Sequence, residues 1–269
     1  MSRRLPRLVV VALVSLSMSC AAPLLKLPSG PGAPAPDGQQ ALEEATVACR
    51  RVSTITLEIA VSGSIGGRRT RGRLSAGLAR PASARLEAVA PFGQPLFIFV
   101  ANGDDATLLL PRDQRALEHA RPDAVLEAIA GVPLDAPALL AVVTGCAGAP
   151  DPARARALSE TWRVAPDGSD EVYLHRDGAA GPWQLVATVH RAEGAGWRAE
   201  YRNFQSGLPQ FIRLVSTRAG RFDLQLGLSQ IDANTPLAAD VFRLPIPASA
   251  APISLDELRE SGPLSANGR

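Results

Sequence analysis

Along most of this 269-residue chain, apolar residues alternate with polar or small ones, and tight turns interrupt the alternation at short intervals. Ile55, Leu57 and Ile59, for example, are separated by polar residues. A period of two is typical of strands with one buried face, and turn pairs such as Asn102-Gly103 indicate hairpins between neighbouring strands. The pattern therefore predicts a mainly β (α+β) fold built on an antiparallel meander.

The predicted strands form two groups with a helical segment between them. The first group starts at Val52 and continues with strands at 69–79, 83–90, 96–101, 106–110 and near Leu117. The second group comprises strands at 159–164, 171–175, 183–191, 197–204, 209–217 and 221–231. Helices are predicted at 39–51, with Asp37 as a candidate N-cap, at 122–130 and 137–144, which end at glycines, and at 253–260.

One face of the predicted sheet is continuously apolar, and two amphipathic helices are available to cover it. The residues predicted to share that face on two of the strands are Leu185, Ala187 and Val189, and Leu224, Leu226 and Leu228. Because aromatic residues make up only 4% of the chain, a cavity there would have an aliphatic lining, which suits flexible chains better than flat rings. Composition by itself favours the alternative, in which sheet and helices close into an ordinary core.

The N-terminus carries the features of a secretion signal. Three arginines precede an apolar run at 8–16, which is too short to span a bilayer. Ser19-Cys20 resembles the bacterial lipoprotein signal, in which the cysteine is lipidated and becomes the first mature residue; an ordinary signal peptide cut near Ala21 is the alternative. Residues 1–19 contain three of the 28 basic residues, which leaves 25 against 26 acidic ones. The mature chain is therefore nearly neutral, and no nucleic-acid partner is expected.

These features predict four parts along the chain. They are a lipoprotein signal peptide at 1–19, a Pro/Gly-rich tether at 20–38, a half-barrel domain at 39–247 and a C-terminal extension at 248–269. The tether is expected to be extended and to have no core of its own. In the bacterial sorting rule, an Asp after the lipidated cysteine favours retention in the inner membrane. Ala21 at that position therefore indicates an outer-membrane location, with the domain facing the periplasm.

The order of several short motifs resembles a known family. They are Pro91-Phe92-Gly93, Asn102-Gly103, Gly131-Val132-Pro133-Leu134 and the Trp197–Tyr201 segment. Together they resemble the outer-membrane receptor of the lipoprotein-localisation (Lol) pathway, LolB, within the LolA/LolB lipoprotein-carrier superfamily. The resemblance covers roughly 52–231. Beyond it, Phe242-Arg243-Leu244-Pro245 resembles the end of the broader superfamily more than that of the receptor.

This resemblance implies a curved, antiparallel, unclosed half-barrel with a helical lid over an apolar cavity. It also implies a non-enzymatic, monomeric receptor that takes lipidated proteins from a periplasmic lipoprotein carrier, binds their acyl chains and delivers them to the membrane. Acyl chains or lipid would be the ligand, and no cofactor is expected. A lipid-binding or scaffolding envelope lipoprotein of the same fold, with no transfer role, is the alternative.

Two sets of residues would carry that function. In the family, a hydrophobic residue on a loop touches the membrane, and the matching residue is Phe92; its alternative role is a plug in the core. The residues predicted to line the acyl-chain cavity are Ile55, Leu57, Ile59, Leu86, Phe97, Phe99, Leu108, Leu110, Ile129, Leu140, Leu185 and Leu226.

The remaining chemistry-bearing residues are few. If Cys20 is acylated, Cys49 and Cys146 remain in an oxidising compartment, where they form either a disulfide or two buried free thiols. No zinc-ligand spacing or nucleophile motif is visible, so neither a metal site nor a catalytic site is predicted. The arginines between Arg68 and Arg73 read as a solvated strand face or, alternatively, as a site for an anionic head group or partner.

Overall fold

The computed structural model describes residues 23–89 and 95–261. Within these ranges, 15 strands form a single sheet, and four α-helices pack against it. The first seven strands are β1 (Ala33–Pro34), β2 (Thr54–Ile65), β3 (Arg68–Ala79), β4 (Ser83–Val89), β5 (Ile98–Asn102), β6 (Asp105–Leu110) and β7 (Arg115–Ala120). The others are β8 (Arg156–Ser159), β9 (Trp162–Asp167), β10 (Asp170–His175), β11 (Gln184–His190), β12 (Trp197–Gln205), β13 (Leu208–Ser216), β14 (Phe222–Ala233) and β15 (Ala251–Pro252). The helices are α1 (Gly38–Arg50), α2 (Pro122–Ala130), α3 (Ala136–Thr144) and α4 (Leu255–Ser261).

Two antiparallel meanders, β2–β7 and β8–β14, make up the sheet. They join because β14 pairs with β2, with Leu226 opposite Val61. The short strands β1 and β15 form the two ends of the strand order, and the pair β7–β15 is the only parallel one among the described strands. The sheet is therefore unclosed, which confirms the predicted half-barrel. The helices α2 and α3 lie in the connection between the two meanders.

One predicted strand, at 159–164, is wrong, because the structure contains two strands there. β8 ends at Ser159 and β9 begins at Trp162. At the turn, the Thr161 backbone N–H donates to the Ser159 hydroxyl at 3.3 Å. Such a local bond from backbone to side chain competes with the ladder of a continuous strand.

A β-bulge also overturns the predicted face of β11. The register against β10 shifts, so that Tyr173 lies opposite Ala187 while Leu174 lies opposite Leu185. As a result, Leu185 belongs to the main core on the inner face, whereas Ala187 and Val189 belong to a small cluster on the outer face. A single extra residue in one strand reverses the side to which the following residues point.

The N-terminal segment 23–35, which we call the strap, is attached to the sheet and is not a free tether. Its β1 residues pair with β8, with Ala33 opposite Ala157. Arg202 donates to the Pro23 carbonyl at 2.8 Å, and the Leu25 backbone N–H donates to the Glu200 carboxylate at 2.8 Å. The strap therefore covers part of the outer face, and the ordered domain begins well before residue 39.

The Glu200 carboxylate is the main attachment point of the strap. Its side chain is only 1% exposed and forms ion pairs with Arg198 and Arg202. Arg198 also donates to the Leu25 carbonyl. A buried carboxylate is stable only when it is paired and hydrogen-bonded, and here two guanidinium groups and one backbone N–H meet that need.

Replacing this carboxylate should release the strap. For Glu200→Gln, we expect the free energy of unfolding to fall by about 2–3 kcal/mol, because two arginines lose a charged partner. Proteolytic cleavage within residues 23–35 should accelerate in the same variant. Urea denaturation and mass mapping of the fragments measure both effects. Glu44→Gln, on an exposed part of α1, is the matched control, and equal cleavage rates in the two variants would contradict this role for Glu200.

Asp37, the candidate N-cap of α1, makes no side-chain cap hydrogen bond. Its carboxylate instead pairs with Arg163 at 2.8 Å. The hydrogen bond from Arg163 lowers the pKa of Asp37. The carboxylate therefore fastens the start of the helix to β9.

The predicted C-terminal extension is also part of the folded domain. β15 pairs with β7, and Leu258 of α4 is completely buried. Ser254 and Glu257 form a capping box, in which the Ser254 N–H donates to Glu257 at 2.8 Å and the Glu257 N–H donates to the Ser254 hydroxyl at 3.2 Å. Hydrogen bonds from the Ser254 backbone, then from Arg115, lower the pKa of Glu257 to about 2. The chain thus folds as one unit to at least α4.

Candidate ligand-binding cavity

Two short helices form a lid over the inner face of the sheet. α2 has a proline in its first turn and ends at Gly131, whose φ of 69° is left-handed. α3 begins at Asp135, whose carboxylate accepts a hydrogen bond from the Ala138 N–H at 2.8 Å, and ends at Gly145 with φ 63°. Each helix is therefore delimited by residues suited to its ends.

Between this lid and the sheet lies a cavity of about 120 Å³. Its walls come from β2, β3 and β4, from β13 and β14, from the segment before β5, and from the lid. The lining residues are Ile59, Val61, Ile65, Thr70–Leu74, Leu86, Ala88, Leu96, Phe97, Leu126, Ile129, Ala130, Val132, Leu134, Leu139, Val142, Val143, Leu214, Leu224 and Leu226. Apart from a rim on β3, the lining is apolar and almost entirely aliphatic.

Five of the twelve residues predicted for the cavity line it: Ile59, Leu86, Phe97, Ile129 and Leu226. The other seven are not among the lining residues and need correction. They are buried in the main core around the cavity: Ile55, Leu57, Phe99, Leu108, Leu110, Leu140 and Leu185. The inner face of this sheet is longer than its cavity, because side chains of the core fill the rest of the face and α1 packs against β9–β11. The missed lining residues include Val61 and Ile65, which continue the alternation of β2 past Ile59.

The cavity reaches the surface beside β3. Thr70–Arg73 lines it, and Arg71, Gly72 and Arg73 are exposed. β4 pairs with β3 only from Arg73 to Ala79, so the part of β3 before Arg73 has no β4 neighbour within the described chain. We call Thr70–Arg73 the rim.

The residues Ala88 and Leu96 also line the cavity. In sequence they flank 90–94, which lies outside the described residues, as does the predicted membrane-inserting residue Phe92. Cys20, the predicted lipidation site, lies outside them too. The described residues on either side of that segment, Ala88 and Leu96, are thus both part of the cavity wall.

Covalent and ionic contacts fasten the lid to the domain. Cys49, in the last turn of α1, and Cys146, directly after α3, form a disulfide with a Cα–Cα distance of 5.5 Å, which confirms the predicted bridge. In α2, Glu127 forms an ion pair with Arg221 before β14. The outer side of α2 contacts α4. The disulfide holds only the C-terminal end of α3, whereas the connection between α2 and α3 carries no covalent restraint.

The chemistry of the cavity is that of an apolar container. Among residues 23–89 and 95–261, no cluster of three or more His, Cys, Asp or Glu side chains could hold a metal ion. No helix in the same ranges is both long and apolar enough to cross a membrane. An apolar cavity of roughly 150 Å³ stays dry and accepts a guest of the size of benzene. The cavity here is of that order, so it can hold part of an alkyl chain without any movement of the lid.

The fold and the cavity define a class of protein: an unclosed half-barrel with a helical lid over an apolar pocket. No protein-family model matches the chain, and no curated protein matches it. Solved structures do. A LolA superfamily protein from Nitrosomonas europaea is similar over 77% of this chain and 97% of its own, with a TM-score of 0.54 and 11% identity. A DUF1329 family protein from Desulfovibrio piger is similar over 78% of this chain and 98% of its own, with a TM-score of 0.51 and 9% identity. This chain therefore has the fold found in the LolA superfamily.

Proposed function

We propose that the protein is a lipid-anchored carrier of the bacterial envelope that shelters acyl chains and passes them to a membrane. The observation that carries this proposal is the apolar cavity enclosed by the sheet, α2 and α3. Moving one CH₂ group out of water is worth about 0.8 kcal/mol, so a chain of 16 carbons gains on the order of 12 kcal/mol from burial. Aliphatic walls supply that burial without directional bonds that would have to break on release.

In its finer form, the proposal is a role as receptor in the outer membrane, anchored through Cys20. The cargo would be lipidated proteins handed over by a periplasmic carrier. The motifs around Phe92 and Trp197 and the lipoprotein-like signal support that role. The protein would act by binding alone, without catalysis.

Admission of a whole chain requires the lid to move, because the cavity of about 120 Å³ is smaller than a long alkyl chain. The arrangement of restraints suggests which part moves. The disulfide fixes the end of α3, while α2 has no covalent restraint and is held by one ion pair and by packing against β6 and α4. We therefore expect the segment Gly131–Asp135 and α2 to swing away from Ile65 and β3.

A transfer assay tests this function. The protein is loaded with an acylated protein, repurified and incubated with vesicles, and the cargo is followed between the soluble and vesicle fractions. Capture followed by delivery is expected. Capture without delivery would favour the alternative of a binding or scaffolding lipoprotein, and the absence of capture would refute both roles. In the host, depletion of the protein should strand lipoproteins in the periplasm.

The variant Phe92→Glu separates binding from delivery. We expect acyl-chain binding to remain nearly intact and transfer into vesicles to fall about tenfold or more, because a charged side chain resists insertion into a bilayer. The readouts are the affinity for a fluorescent fatty acid and the transfer rate. Val47→Glu, which adds the same charge at an exposed position on α1, is the control. Equal loss of binding and transfer in Phe92→Glu would show that Phe92 belongs to the core.

A further inference from the structure

Three exposed arginines lie on β3 at and beside the rim of the cavity. Arg69, Arg71 and Arg73 are exposed and occupy alternate positions of β3, so they point to the same, outer side of the sheet. We call them the arginine stripe. Thr70 and Gly72, between them, lie opposite Gly63 and Val61 of β2 and line the cavity. One short stretch of strand thus lines the cavity and carries a row of guanidinium groups on its outer side, and Arg71 and Arg73 belong both to the stripe and to the edge of the cavity.

The nearest carboxylates in the described sheet have other partners than the stripe. In the register of the sheet, Arg69 lies opposite Ser64, which lies opposite Asp223. The Asp223 carboxylate is already paired with Arg213 at 2.8 Å. Glu58, one row beyond Arg73, accepts a hydrogen bond from Ser75 at 2.5 Å. Within the part of the chain that the structure describes, none of the three arginines of the stripe forms an ion pair.

The strap begins on the same face and at the same level. Across the sheet, Arg73 is in one row with Ala60, Gly227, Phe211 and Arg202. Four strand spacings of about 4.8 Å put the backbones at the two ends of this row roughly 19 Å apart. Arg202 in turn holds the Pro23 carbonyl, and three residues of extended chain span about 10 Å at most. A lipid on Cys20 would therefore leave the protein on the face that carries the stripe.

We propose that the arginine stripe docks on the anionic head groups of a membrane and holds the cavity rim against the bilayer. This inference rests on the proposed function and deepens it, because it names the surface on which acyl chains leave. A guanidinium group forms paired hydrogen bonds with phosphate oxygens, and basic residues gather at anionic lipid surfaces. With the anchor and the stripe on one face, both contacts can form at once, and a chain that crosses the rim passes directly into lipid.

Vesicle co-sedimentation tests the docking. The probe is the mature chain with Cys20→Ser, which removes the anchor. It is mixed with phosphatidylcholine vesicles that either lack or contain phosphatidylglycerol, an anionic lipid. We expect binding to the anionic vesicles alone, and weaker binding as salt increases. Replacing Arg69, Arg71 and Arg73 together with glutamine should weaken binding to the anionic vesicles about 100-fold, because each arginine is expected to contribute about a factor of five.

The control removes the same charge elsewhere. The control is a second triple glutamine variant at three exposed arginines in or near α1: Arg50, Arg51 and Arg154. We expect its affinity for anionic vesicles to change less than threefold. Equal binding by the two triple variants, or equal binding to neutral and anionic vesicles, would overturn the proposal. Affinity for a fluorescent fatty acid is measured in parallel for Arg69→Gln alone, since Arg71 and Arg73 line the cavity and Arg69 does not, and it should not change. An approximately fivefold loss of anionic-vesicle binding in Arg69→Gln with fatty-acid binding intact supports the stripe, whereas absence of fatty-acid binding in the wild type would refute the carrier function separately.

Discussion

Removal of the disulfide should lower the free energy of unfolding by about 4 kcal/mol. The cysteines are 97 residues apart, and closing a loop of about 100 residues removes roughly 4.7 kcal/mol of chain entropy from the unfolded state in the standard model. The double variant Cys49→Ser and Cys146→Ser creates no unpaired thiol. Urea denaturation of this variant and of the wild type, each with and without reductant, measures the loss.

Several results would follow together. The reduced wild type should match the double variant, and reductant should not affect the variant. Cys20→Ser in the same chain is the control, since it leaves the bridge intact. If the free energy of unfolding of the double variant lies less than about 1 kcal/mol below that of the wild type, the role of the bridge in stability is contradicted. Because the bridge also fixes the end of α3, we expect its removal to raise the rate at which a fatty acid enters and leaves the cavity.

Filling the cavity should abolish most ligand binding. Leu74 lines the cavity and is only partly buried, so Leu74→Trp can direct an indole into the space without displacing a fully packed side chain. If the ring excludes about four CH₂ groups of an acyl chain, the affinity should fall by about 3 kcal/mol, or about 100-fold. Displacement of a fluorescent fatty acid gives the affinity, and thermal denaturation shows whether the variant remains folded.

The matched control is Val186→Trp, which places the same ring in the small cluster on the outer face. It should leave fatty-acid affinity within about twofold of the wild type, since it is remote from the lining. A folded Leu74→Trp protein that binds fatty acid as well as the control would show that this cavity is not the binding site.

The strands and the unclosed sheet could be predicted because alternation of apolar residues is a local signal. The face on which Ala187 lies could not be predicted, because it depends on the bulge in the pairing of β10 with β11. One extra residue in a strand changes the face of the sheet to which the following side chains point. The attachment of the strap to the sheet could not be predicted either. Its Pro, Gly and Ala residues have no periodicity, and its main partner, Glu200, lies 175 positions from Leu25.

The residues that line the cavity could be predicted only in part. Leu86 and Leu185 both face inward in strands, yet only Leu86 lines the cavity. Periodicity identifies the inner face but not the stretch of it that lies beneath α2 and α3 rather than beneath α1. That division is set by where the helices pack, which no local pattern encodes.

The pairing of β2 with β14 has a consequence for the way the protein is made. The twelve residues of β2 emerge from the ribosome early, whereas their partner strand begins at Phe222, more than 150 residues later. Until then, one long edge of β2 has no neighbour, and such edges attract other strands. Completion of this sheet therefore has to wait for the C-terminal part of the chain, and such long-range pairing slows folding. Until the chain as far as Ala233 is available to fold, this edge of β2 is open to pairing with strands of other chains.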